Sequence, residues 1–180
     1  MRAIGPLFVA LAVCMPRVPA QAADEPRSGP DLQAQAAAMA KLSFLLGDWH
    51  GEGWIAGAKG RTEFRQTETI RLLQEGTLIS IEGRGYVRSA PPDAKPSFAA
   101  NALVSYDDAT KEYRFYSFAQ GRSGTFKAEL MGPDTLRWYP EPVRFTIRIE
   151  SDGQWREIGE APDGKGGFRG FFEMKLQRSH

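Results

Sequence analysis

Cysteine and histidine are almost absent from this chain: one cysteine and two histidines in 180 residues. Cys14 lies in a stretch that reads as a targeting segment, residues 1–22, with Arg2 as the basic start and a mostly apolar run from Ile4 to Met15. Ala20-Gln21-Ala22 supplies a small-x-small cleavage site, and processing after Ala22 removes the cysteine. The remaining chain then has no disulfide, no thiol nucleophile and no thiolate metal ligand, so packing must stabilise it. Leu11-Ala12-Val13-Cys14 is a poor lipidation site, because Val13 stands where a small residue is wanted.

The scarcity of histidine removes further chemistries. A structural zinc site takes four protein ligands and a catalytic one three, whereas here only His50 and the terminal His180 are present. His50 and Glu52 form a His-x-Glu pair on one strand face, which is two ligands and not a site. A serine or threonine nucleophile would need His50 as its base, and no G-x-S-x-G elbow occurs.

Excess charge of one sign is also missing, with 23 basic against 22 acidic residues. Loss of Arg2 and Arg17 with the targeting segment leaves a slight acidic excess. Binding to nucleic acid is not expected, since that calls for a basic excess gathered on one face. No apolar run reaches the roughly 20 residues that span a bilayer, so no integral membrane segment is expected and the protein is read as periplasmic or secreted.

Strand periodicity dominates what is there. Residues 23–30 form a flexible lead-in, and one helix follows: Pro30 and Asp31 start it, and Gln33 to Lys41 is rich in helix formers. Leu42, Leu45 and Leu46 extend its apolar side before Gly47, and such a helix suits a lid or plug at one end of a barrel. From Asp48 onward alternation predicts about ten strands near 48–55, 61–73, 77–87, 101–106, 112–119, 124–131, 134–139, 143–150, 154–160 and 168–178. Glu75-Gly76, Asp107-Asp108, Gly132-Pro133-Asp134, Asp152-Gly153 and Asp163-Gly164 mark turns, and Ser89 to Ser97 with three prolines makes one long rim loop. Short connections predict an all-β, closed antiparallel up-and-down barrel over residues 31–180, monomeric or weakly dimeric.

The opening run Phe44-Leu45-Leu46-Gly47-Asp48-Trp49-His50-Gly51-Glu52-Gly53 puts Gly47, Trp49, Gly51 and Gly53 on one strand face, with the glycines leaving space beside a single indole. It resembles the first strand of the calycin superfamily: the Gly-x-Trp of lipocalins and the F-L-x-G-x-W-x-G-x-G of nitrobindin-like proteins and a related exported bacterial family of unknown function. Phe64-x-Gln66-x-Glu68-x-Ile70 resembles the second strand, and Met174-x-Leu176-x-Arg178 the closing one. The resemblance implies that Arg178 packs on Trp49 to close the barrel base. It also implies haem held by a closing-strand histidine, but this strand, Gly170 to Gln177, has none. Met174 is only a formal substitute, and no cofactor is expected.

Ligand-facing candidates are Gln66, Glu68, Tyr116, Phe172 and Met174. Glu68 and Glu82, on adjacent strands, form the candidate carboxylate pair. Gly164-Lys165-Gly166-Gly167 is read as a turn, since no helix follows for a phosphate to cap. Adjacent aromatics such as Phe171 and Phe172 are expected to face opposite sides. The leading reading is a barrel that binds a small, largely apolar or amphipathic molecule in its lumen. A second is an isomerase or hydrolase using Glu68 or Glu82 as base, and a third is a filled barrel acting as an envelope interaction module.

Overall fold

The computed structural model describes residues 29–179. The stretch read as a targeting segment, with Cys14 and Ala22, most of the expected lead-in, and His180 lie outside the described residues. Helix α1 (Leu32–Ala40) precedes ten strands: β1 (Gly47–Gly57), β2 (Gly60–Leu73), β3 (Leu78–Val87), β4 (Phe98–Asp107), β5 (Glu112–Ala119), β6 (Arg122–Gly132), β7 (Thr135–Trp138), β8 (Arg144–Ile149), β9 (Trp155–Pro162) and β10 (Phe168–Arg178). Each strand pairs antiparallel with its sequence neighbour, and β10 returns to β1 to close the barrel. All ten strands fall where the alternation places them, because inward positions are mostly apolar or small and turn-forming residues follow most segments.

Helix α1 starts on Asp31, whose side chain accepts a hydrogen bond from the Ala34 amide at 2.9 Å. It ends at Ala40, earlier than the leucine-rich continuation suggests, and a tighter 3-10 turn spans Ser43–Leu45. Spacing of three residues keeps Met39, Leu42 and Leu45 on one side, and all three are fully buried against the end of the barrel. Asp108 ties the helix down, accepting from the Asp31 amide at 3.0 Å and from Gln35 at 2.6 Å, while the Tyr113 hydroxyl donates to the Ala38 carbonyl at 2.8 Å.

That end of the barrel is packed solid. Trp49, Ile70, Ile79, Val104, Leu136 and Leu176 are fully buried there, with the indoles of Trp49 and Trp155 edge to face at 5.5 Å. The Arg178 guanidinium lies 4.1 Å from the Trp49 ring and donates to the Leu46 and Phe44 carbonyls. The Trp49 indole N–H donates to the Leu45 carbonyl at 2.9 Å. One arginine and one tryptophan thereby join the first strand, the last strand and the plug.

The motif glycines do a different job from the one read in the sequence. A Cβ on Gly51 would overlap the Lys175 carbonyl of β10, and one on Gly53 would meet the Phe64 ring at 2.5 Å and the Glu173 carbonyl at 2.6 Å. They let neighbouring backbone and Phe64 approach β1, and neither borders the lumen space.

Candidate functional site

Above the plug the lumen opens into a cavity of about 430 Å³. Its room comes from small residues on β3, β4 and β5, which the register places side by side: Gly83 beside Ala100, and Ala100 beside Ala119. The facing wall is aromatic. Trp138 is sandwiched between Phe115 at 4.4 Å and Phe145 at 4.7 Å, and Phe64 stacks on Phe172 at 5.7 Å. Ile55, Val87 and Phe98 border the cavity yet are 41%, 47% and 42% exposed, so these residues mark its mouth.

Phe171 and Phe172 both line this cavity. Strict alternation would send them to opposite faces, but the pairing of β10 with β9 slips between Gly170 and Phe172. The extra residue breaks the period of two and turns both rings to the mouth, where each meets Phe145 edge to face.

Among the described residues three polar side chains are buried: Gln66, Glu68 and Glu157, at 5%, 7% and 7% exposure. All three line the cavity. The Gln66 amide donates to Glu68 Oε1 at 2.7 Å. The Glu68 carboxylate rests on Gly83, where a Cβ would lie 2.8 Å and 2.9 Å from its two oxygens, and Gly85 makes the same room for Gln66. Any side chain on Gly83 would displace the carboxylate. Among the described residues, no hydrogen bond or ion pair reaches the Glu157 carboxylate.

Burial pushes the Glu68 carboxyl up from the ordinary value of 4.5 to about 7, against the lowering effect of the Gln66 amide. Glu157 rises to about 8, through burial first and the Glu68 charge second. The indoles of Trp138 and Trp155 act on Glu157 in the opposite direction, yet neither buried N–H has a hydrogen-bond partner of normal geometry. Two interacting carboxyls of this kind titrate as a pair, and at neutral pH they retain a proton between them.

Of the residues singled out in the sequence, Gln66, Glu68, Phe172 and Met174 line the cavity together. Tyr116 does not: it lies between Phe115 and Ser117, which face the lumen, and therefore points to the outer side of β5. Glu82 is not the partner of Glu68. The register sets Glu68 opposite Gly83 and Glu82 opposite Thr69, so Glu82 is on the outer face, where it pairs with Arg84. The partner is Glu157, which shares a strand face with the buried Trp155; that alternation was the available signal. His50 is exposed and contacts Ser179 at 3.0 Å, and no group of three metal-ligating side chains occurs among the described residues.

No protein-family model and no curated protein matches the chain. Among solved structures it is similar to Rv2717c from M. tuberculosis, with a TM-score of 0.58 and 13% identity, covering 83% of this chain and 100% of that one. At that identity the likeness extends to the fold, and the two proteins share a closed β-barrel architecture.

Proposed function

We propose that the barrel is a container for a small, largely apolar molecule, with Gln66, Glu68 and Glu157 fixing the ligand's polar end. The observation that carries this reading is a lumen of about 430 Å³ with largely apolar walls, in which those three are the buried polar side chains among the described residues. The calycin-like opening strand supports it, since barrels of that kind hold ligands above a packed base. Haem is a poor fit: no histidine lines the cavity among the described residues, and the closing strand offers it only Met174 as a formal substitute. The small-x-small site at Ala20-Gln21-Ala22 supports an exported container. Native mass spectrometry of the protein isolated from its own cells tests the reading. A co-purifying organic mass is expected, and bare polypeptide that no apolar compound stabilises in a thermal-shift panel would oppose it.

The buried carboxyl pair also favours a second reading, proton-transfer catalysis in the same lumen. 5-Nitrobenzisoxazole opens when a base removes one proton, so it reports a competent carboxylate in an apolar site. Base catalysis predicts a rate that the Glu68→Gln/Glu157→Gln double variant loses. An equal rate in both proteins removes this reading.

A further inference from the structure

The two glutamates in the lumen have no counter-ion. No lysine, arginine or histidine borders the cavity among the described residues. Basic side chains on the strands nearest the pair are held outside by acidic neighbours: Arg84 by Glu82, Arg156 by Glu173 at 2.9 Å, and Arg148 by Glu150 at 4.0 Å. Arg65, beside Gln66 on β2, donates to the Ala90 carbonyl at 2.8 Å. Glu63 borders the mouth, but Arg88 holds its carboxylate at 2.7 Å. Gly83 from β3 flanks Glu68, Ile147 from β8 and Met174 from β10 flank Glu157, and Gln66 from β2, Ala102 from β4 and Trp138 from β7 line the same cavity. Among these described residues the two glutamates themselves are the only titratable groups.

A second feature points the same way. The walls above the pair are aromatic rings, with both faces of Trp138 covered by Phe115 and Phe145, so they offer an apolar surface for a hydrocarbon body and no charge that would compete for the carboxylates. A third concerns the idle donors: the N–H groups of Trp138 and Trp155 border Glu157 and lack acceptors. A neutral carboxylic acid uses such donors poorly, whereas an ionised carboxylate accepts from them strongly. The site therefore holds two potential negative charges, donors suited to the ionised form, apolar aromatic walls and, among the described residues, no positive charge.

Resting on the ligand-binding reading above, we propose that the lumen takes a protonated organic amine, its ammonium group seated between Glu68 and Glu157 and its apolar body against the aromatic wall. On binding, the proton held by the pair is released to solvent, and the ammonium N–H groups replace it as donors to the carboxylates. Carboxylate amphiphiles are repelled by the same pair. Neutral alcohols fit the walls but leave the charge unmatched.

Octylamine, octanol and octanoate share one apolar body and differ only in the head group. Isothermal titration calorimetry at pH 7.5 should show octylamine binding about tenfold or more tightly than octanol, and octanoate most weakly. Amine binding measured in two buffers of different ionisation enthalpy should reveal proton release. The amine's advantage over octanol should collapse in Glu157→Gln and in Glu68→Gln, each checked for folding by thermal melting, and should persist in the outer-face variant Glu82→Gln. Octanol binding as tightly as octylamine overturns the amine proposal and leaves the container standing. Failure of all three compounds to bind overturns both.

Discussion

Burying Glu157 without a hydrogen bond or a cation disfavours its charged form, and the consequence is a stability that depends on pH. Its carboxyl titrates near 8 when folded and near 4.5 when exposed, so between those values the folded chain binds more protons than the unfolded one. Stability must then fall as pH rises from about 5 to about 8, by on the order of a few kcal/mol with Glu68 contributing in the same direction. Glu157→Gln keeps the shape and removes the charge. It is expected to flatten the decline and to be more stable than the parent at pH 8, as read by urea unfolding at a series of pH values. A parent protein as stable at pH 8 as at pH 5 would show that the pair is solvated. Gly83→Ala is expected to act at the same place from the other side: the added methyl takes the position of the Glu68 carboxylate, which must swing away from Gln66, at a cost of about 1–3 kcal/mol.

These residues differ in how far the sequence revealed them. Glu68 and Gln66 were legible because Phe64, Gln66, Glu68 and Ile70 alternate on one face. Their pairing with Glu157 was not, since β2 and β9 are separated by β1 and β10 around the barrel and meet only across the lumen. Glu82 looked closer because its strand follows directly, but proximity in the chain does not fix parity: the register puts it opposite Thr69 and outside. Tyr116 lost to Phe115 by the same parity of one residue. Phe171 entered the lumen through a bulge, which periodicity cannot announce.

At the scale of elements, closure depends on the seam between β1 and β10 and on the plug beneath it. Arg178 contributes a cation over an indole and donates to two carbonyls of the plug segment. Arg178→Ala should cost about 1–3 kcal/mol in urea unfolding, and Arg178→Lys should recover only part, because an ammonium cannot reach both carbonyls with a planar fork. A loss within about 0.5 kcal/mol would mean that the seam holds without it. Gly51→Ala should be more damaging than either, since its methyl overlaps backbone of β10 and no side chain can move aside. The ten strands and the capped helix were readable from period and turns. The reason for the motif glycines was not, because the sequence shows a missing side chain without showing what occupies its place.

At the scale of the whole molecule, the barrel is two halves with different tasks. The lower half is packed by Trp49, Trp155, Leu176 and the plug leucines, and carries the stability. The upper half gives up packing for space, through Gly83, Ala100, Ala102, Ser117 and Ala119 opposite an aromatic wall. Empty apolar volume forfeits contacts that a filled core would make, so a cavity of this size is a cost that occupancy would offset. A bound ligand should therefore raise the melting temperature with a dependence on its concentration.

Occupancy of the lumen is the central claim, and a titration with the neutral, environment-sensitive probe 6-propionyl-2-dimethylaminonaphthalene tests it most directly. Wild-type protein should give a blue-shifted, saturable signal at about one probe per barrel, while Ala100→Trp, whose indole fills the space beside Gly83 and Ala119, should stay folded and lose it. Equal binding by both proteins, or no binding by either, would contradict the account.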